Sequence, residues 1–236
     1  MEMNRLAAAY IRGHAARTGS PTLPAELVSA QLDALSDEEL ERLVVAGREA
    51  GLQLYRFKNH AELPRVHWAL SFLRSVWPES LLDVGSGRGV FLLPFLCRFP
   101  GVPVTSVDLL DYRTAFLHDI HAGGVEQLTA LQADICTAAL PENGFDVVTL
   151  LEVLEHIPDV EAAIRQAVRL ARRYVVVTVP SKPDDNPGHI HLLTRAQLTD
   201  LFTRAGCSRL QFDGVPGHLT LIASVGQPSK HTEEQP

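Results

Sequence analysis

The chain has 236 residues, 46% of them hydrophobic and 21% charged, a balance that supports one sizeable buried core and excludes wholesale disorder. A formal charge of −7 argues against an electrostatic grip on nucleic acid as the main activity, though not against a small local basic site. Cys97, Cys136 and Cys207 are widely spaced and form no C-x-x-C pair, which fits structural thiols in a reducing compartment.

The first residues carry scattered arginines and no sustained apolar stretch, so they do not resemble a secretory signal. The longest apolar run, 174–179, is strand-sized and too short to span a bilayer. A cytoplasmic protein without a membrane anchor is expected.

In chain order, the first 78 residues read as helices. Leu27, Val28, Leu32 and Leu35 have helical spacing behind Pro24. Ser36 with Glu39 forms a capping box ahead of Leu40, Leu43 and Val44, and Gly51 offers a stop. A further helix is expected over 62–76, and the cations Arg56, Lys58 and Arg65 lie between and inside these helices.

From Ser80 the pattern changes. Short apolar runs at 80–84, 103–107, 128–132, 145–151 and 174–179 alternate with helical stretches near 89–98, 111–121, 159–172 and 195–205, which predicts a parallel sheet with helices on both faces. Thr194 with Gln197 repeats the capping box, and Gly206 ends that helix. Two last strands, 208–213 and 218–225, are joined by a turn too tight for anything but an antiparallel pair, so the last strand should run against the others. The chain therefore divides into a helical segment at 1–79, an α/β domain at 80–226 and a frayed tail at 227–236.

The chemistry begins at the first strand. Gly85, Ser86, Gly87, Arg88 and Gly89 follow Leu81–Val84 at once, and a glycine-rich turn at a strand's carboxyl end lets a ligand approach the backbone. Nicotinamide and flavin fingerprints read G-x-G-x-x-G, whereas this loop reads G-x-G-x-G with Asp83 two places ahead, which counts against a nicotinamide-dependent oxidoreductase. Asp108 ends the second strand, where a carboxylate accepts from a ribose diol, and Asp134 follows the third strand, where one accepts from an adenine amino group.

The stretches LLDVGSGRG, VTSVDLLD, LQADI and FDVVTLLEVLEHIPD together resemble the successive motifs of the class I S-adenosylmethionine-dependent methyltransferases, over about 80–225. The resemblance is nearest to the branch with ubiquinone-pathway O-methyltransferases and small-RNA 2′-O-methyltransferases. It implies a Rossmann-like seven-stranded α/β sheet, mostly parallel with the last strand antiparallel, and an N-terminal helical cap. It implies that Asp83, Gly85, Ser86, Gly87 and Gly89 surround the methionine part of S-adenosyl-L-methionine. Asp108 with Leu109 would hold the ribose, Asp134 with Ile135 the adenine, and Leu151 with Glu152 would form the floor near the sulfonium.

Glu152, Glu155 and His156 stand at i, i+3 and i+4 and share one face if that stretch is helical; His189 and His191 follow the fifth strand. Glu152, Glu155, His156 and His189, with His191 as alternative to His189, form a candidate site for Mg²⁺, Mn²⁺ or Zn²⁺. The resemblance to the RNA enzymes implies the same ligands, although the Phe-Glu-Trp segment of those enzymes is missing here. The plainer reading leaves Glu155 a solvated helix residue. His156 and His189 are the candidate catalytic bases. The expected function is methyl transfer to a small-molecule acceptor, at oxygen. Metal-assisted RNA 2′-O-methylation and a non-enzymatic cofactor-binding module are the alternatives.

Overall fold

The computed structural model describes residues 2–19 and 23–226; the tail expected at 227–236 lies outside the described residues. Four helices come first: α1 (Met3–Thr18), α2 (Ala25–Ser29), α3 (Asp37–Glu49) and α4 (Pro64–Val76). Strands and helices then alternate: β1 (Leu81–Val84), α5 (Leu92–Arg98), β2 (Val104–Asp108), α6 (Asp111–Ala122), β3 (Leu128–Gln132) and β4 (Phe145–Leu151). They continue as α7 (Val160–Leu170), β5 (Ala171–Pro180), α8 (Arg195–Arg204), β6 (Cys207–Val215) and β7 (His218–Val225).

The seven strands form one sheet in the order β3-β2-β1-β4-β5-β7-β6. β1 to β5 pair in parallel, and β7 runs antiparallel to both β5 and β6. That is the α/β architecture the sequence implies, and the tight turn before His218 is what reverses β7.

Alternation along the buried strands feeds two cores. Leu81, Val104, Val147 and Val176 pack with α1, α3, α4, α5 and α6 on one face. Leu82, Val107, Val148 and Val177 pack with α7 and α8 on the other. The N-terminal helices thus extend the core of one sheet face: Leu6, Leu43 and Leu70 belong to the same cluster as Leu92 and Phe95.

Both capping boxes form, with Ser36 accepting from the Glu39 N–H and Thr194 from the Gln197 N–H. The helix expected through Leu27–Leu35 breaks, because α2 ends at Ser29 and a separate 3-10 turn covers Leu32–Ala34. The cause lies on α1. Arg12 donates to the Val28 and Ala30 carbonyls, and Arg5 to the Leu32 and Leu35 carbonyls, so these acceptors are satisfied without a continuous helix. Among the described residues, no helix is long and apolar enough to cross a membrane.

Candidate active site

The carboxyl ends of β1 to β4 open into one cavity of about 490 Å³. Its wall includes Asp83, Gly85, Ser86, Gly87, Asp108, Leu109, Asp134, Ile135, Leu151, Glu152 and His156, so most of the sequence-selected residues converge on one space. From the N-terminal segment, Arg65 and Val66 at the start of α4 line it.

The glycine loop is built from beneath. Asp83 is buried at 2% exposure, accepts from Thr149 Oγ1 at 2.7 Å and from Ser86 Oγ at 2.5 Å, and faces Asp108. Burial pushes its pKa up to about 6 despite these two hydrogen bonds, and the Asp108 charge adds to the rise. Ser86 Oγ also meets Ser106 Oγ at 2.6 Å, which ties the loop to β2. Asp83 therefore acts as the anchor of the loop, its oxygens turned to protein donors. At Gly85 the backbone has φ +67°, and a β carbon would stand 2.8 Å from the Val153 side chain; the turn tolerates only glycine there. Gly89, with φ +80°, is buried against Leu93, behind the loop.

Asp108, at the tip of β2, accepts from the backbone N–H groups of Gly87 (3.2 Å) and Leu110 (3.0 Å) and pairs with Arg113 of α6 at 3.3 Å. Asp134 is exposed at the rim, where its carboxylate accepts from the Cys136 N–H at 2.9 Å. Ile135 is buried beside it and Leu109 stands out into solvent.

After β4 the stretch is not helical, the condition on which Glu152, Glu155 and His156 would share a face, but a sharper turn. Glu152 adopts φ +60°, and only a short 3-10 turn, Leu154–His156, follows. This separates Glu152 from the other ligand candidates: its carboxylate accepts from Thr178 Oγ1 at 2.7 Å and lies 3.0 Å from His218 Nε2. The shared helical face of Glu152, Glu155 and His156 is thus corrected.

Glu155, His156 and His189 do come together, with one ligand atom from each within 4.8 Å of the others. Glu155 is fully buried, not solvated, and neither carboxylate oxygen has a hydrogen-bond partner. Burial, with the charges of Glu152 and Asp184, pushes its pKa up to about 8. His156 Nδ1 lies 2.7 Å from the Gly188 carbonyl oxygen, and His189 Nδ1 lies 2.8 Å from Asp184 Oδ2. His156 thus donates through Nδ1 to a carbonyl that can only accept, and the His189 ring is held beside the Asp184 carboxylate. The loop is held over the turn by the Ile190 and His191 N–H groups, which donate to the Glu155 carbonyl. His191 lies outside the group of three, with its own Nε2 buried and unpartnered.

Arg113, Thr178 and His218 are among the residues that stand here without having been singled out for the site. Arg113 follows Asp108 by five positions in a helix and was within reach of sequence reasoning; the contacts of Thr178 and His218 depend on strand register and leave no local signal.

A Rossmann-like sheet with a glycine turn, and acids on the next two strand tips, is the arrangement expected of the family named above. Residues 61–211 match the family model described as a methyltransferase domain. The chain belongs to this family, the class I S-adenosylmethionine-dependent methyltransferases. The methyltransferase is 34% identical over 110 residues to a ubiquinone biosynthesis O-methyltransferase of Pseudomonas putida; the match covers 46% of each chain, so it spans about half the length of the curated relatives it matches. Among solved structures, an S-adenosylmethionine-dependent methyltransferase from Aquifex aeolicus superposes with a TM-score of 0.58 at 17% identity, over 71% of this chain and 93% of that one. An O-methyltransferase family protein from Burkholderia thailandensis gives 0.54 at 18% identity, over 75% and 61%. At these identities the structural likeness speaks for the fold.

Proposed function

We propose that this methyltransferase moves a methyl group from S-adenosylmethionine to an oxygen of a small-molecule acceptor, in the cytosol, with a divalent cation held by Glu155, His156 and His189. The observation that carries the reading is the single cavity joining Asp108 and Asp134 at one end to His156 at the other. The oxygen acceptor is supported by the O-methyltransferase relatives.

S-adenosylmethionine, when bound, supplies an electrophilic methyl on a sulfonium, so the protein's task is alignment and exclusion of water. Asp108 keeps lone pairs for a ribose diol, Asp134 is placed to accept from an adenine amino group, and Arg65 offers a guanidinium to a carboxylate. Leu109, Ile135 and Ile157 supply apolar walls. The glycine loop fits this ligand because Gly87, at the cavity, carries no side chain and has only the Gly85 carbonyl oxygen, at 3.7 Å, near the place of a β carbon. The cation set fits as well: Glu155 is a buried carboxylate with no partner, and His156 and His189 each bring a ring nitrogen within 4.8 Å of it, with Gly188 and Asp184 against their Nδ1 atoms. Two imidazoles and one carboxylate suit Zn²⁺ or Mn²⁺ better than Mg²⁺, and such an ion lowers a hydroxyl pKa. Without an ion, the His156 Nε2 lone pair is the group that takes the hydroxyl proton.

Calorimetry against S-adenosylmethionine, S-adenosylhomocysteine and NAD tests the cofactor; NAD binding without either sulfur ligand overturns it. Labelled methyl transfer to phenol and catechol acceptors, with EDTA and with added Zn²⁺, Mn²⁺ or Mg²⁺, tests the rest. Loss on EDTA with recovery on Zn²⁺ or Mn²⁺ supports the cation, and unchanged turnover assigns the proton to His156.

A further inference from the structure

His156 reaches the cavity from the short turn after β4, and its side is exposed, so burial alone does not fix how the ring is turned. Two contacts orient it. Its Nδ1 lies 2.7 Å from the Gly188 carbonyl oxygen, and its ring meets that of His189 edge to face, with centroids 4.8 Å apart. The carbonyl only accepts, so Nδ1 is the donor whichever charge the ring carries. Nε2 is then the nitrogen left for an ion or a hydroxyl proton.

The direction of the Gly188 carbonyl thus decides the direction of the imidazole. A β carbon on Gly188 would stand 3.2 Å from His156 Nδ1. Gly188 is not among the glycines with positive φ, so closeness to the ring is what calls for glycine here. Glycine is also the residue with the freest backbone, and alone it would let its carbonyl swing.

Asn186 removes that freedom. Its Oδ1 accepts from the Gly188 N–H at 3.0 Å, and its backbone carbonyl accepts from the His189 N–H, also at 3.0 Å. These N–H groups belong to the two peptide planes on either side of Gly188, so one residue pins both. Asn186 is seated in turn by Asp184, whose Oδ1 accepts from its N–H at 3.0 Å. From the other end, the Ile190 and His191 N–H groups donate to the Glu155 carbonyl at 2.9 and 3.3 Å, which staples the loop to the turn that carries His156.

We propose that Asn186 is a positioning residue for His156: its side chain aims the Gly188 carbonyl, and that carbonyl holds the ring with Nε2 left to the cavity. An Asn-Pro-Gly turn is ordinary loop chemistry. Here its carbonyl is committed to an imidazole of the site, which an ordinary turn does not require. The inference rests on the role proposed above for His156.

The ring can be read directly, without cofactor or acceptor. Nuclear magnetic resonance of protein with nitrogen-15 in its histidine rings shows which nitrogen of each imidazole carries the proton, at pH 8.5, where histidine is ordinarily neutral. His156→Gln assigns the His156 signals. Wild-type His156 is expected to be protonated at Nδ1. Asn186→Ala deletes the hydrogen bond of the Gly188 N–H and leaves the backbone bonds of residue 186 in place. The Nε2-protonated share of His156 is expected to rise about fivefold, the weight of one ordinary hydrogen bond, while the His189 signals stay near their wild-type positions. Asn186→Asp keeps an oxygen for the Gly188 N–H and is expected to restore the wild-type share. The proposal is overturned by wild-type His156 protonated at Nε2, by a share that Asn186→Ala leaves unmoved, or by a rise that Asn186→Asp does not reverse. His156 and His189 signals moving together in Asn186→Ala also overturn it, because Asn186 would then only keep the loop folded. Unchanged methyl transfer in His156→Gln would remove the role proposed for His156 itself, a result read separately from the ring signals.

Discussion

Gly13 on α1 and Asp119 on α6 approach so closely that a β carbon on the glycine would stand 1.8 Å from the Asp119 carbonyl oxygen. One contact further along, a β carbon on Gly123 would stand 1.7 Å from the Ala9 carbonyl oxygen. The Asp119 carboxylate is buried and accepts from Arg17 Nε and Nη2, each at 2.7 Å, with His14 Nδ1 at 3.1 Å. Close backbone approach and an ion pair to a buried carboxylate together bind the N-terminal helix to the sheet layer.

Gly13→Ala follows directly. The obstacle is backbone on a packed helix, which cannot rotate aside as a side chain can, so α1 and α6 must separate. The expected cost is about 2–3 kcal/mol, or a Tm lower by roughly 5–10 °C for a domain of this size. Gly13 does not line the cavity, so affinity for S-adenosylhomocysteine well below the transition is expected to stay near the wild-type value. Thermal melts with and without that ligand check both statements.

Asp83 ties stability to pH. Its pKa is raised from 3.8 to about 6 by burial, so the fold favours the protonated acid. Below pH 4 the group costs nothing; as pH rises through 4 to 6 the folded state loses about 3 kcal/mol, and the loss is complete above 6. Asp83→Asn removes the ionisation and is expected to raise unfolding stability by about 1–2 kcal/mol at pH 7.5, part of the gain being offset by poorer hydrogen bonds to Ser86 and Thr149. It is also expected to weaken S-adenosylmethionine binding through the glycine loop. Urea melts at pH 4, 5, 6 and 7.5 give the slope, and a variant with the wild-type slope would falsify the assignment.

The residues proposed for the cofactor converge on one cavity because each is tied to a strand end. Gly85, Gly87, Asp108 and Asp134 follow β1, β2 and β3, and strand periodicity locates those ends to within a residue. Where contacts join distant segments, legibility stops. The Leu27–Leu35 helix breaks because Arg5 and Arg12 on α1 take its carbonyls, a competition invisible to local spacing. Glu152, Glu155 and His156 have helical spacing, yet positive φ at Glu152 sends its carboxylate to Thr178 and His218. The Glu152 and His218 pair is set by the register of β5 against β7, which pairs Pro180 with His218 and has no sequence signature.

In the cation site proposed above, Glu155 makes binding a proton-coupled event. Burial holds its proton up to about pH 8, so at neutral pH an incoming ion must displace it. Zn²⁺ is expected to release about one proton per ion at pH 7, and its affinity to rise about tenfold per unit between pH 6 and 8. Calorimetry in buffers of different ionisation enthalpy counts the protons. Glu155→Gln is expected to abolish both the release and most of the binding; Zn²⁺ binding with no buffer dependence would remove Glu155 from the ligand set.

Asp184 is the residue through which the proposed cation site can be weakened without touching a proposed ligand. Its Oδ2 lies 2.8 Å from His189 Nδ1, close enough to hold the ring beside Glu155 and His156. Its side chain is 43% exposed, so the ion pair itself adds under about 1 kcal/mol to the fold. Asp184→Ala is therefore expected to lower Zn²⁺ affinity about tenfold, the lower end of what losing such an orienting partner costs. Tm without metal is expected to change by no more than about 2 °C. The mutation also removes one of the charges that raise the Glu155 pKa, so the proton release should shift to slightly lower pH. A fall in Tm of the metal-free protein as large as that of Gly13→Ala would instead show that Asp184 holds the 181–193 loop in place, and that the imidazole needs no orienting partner.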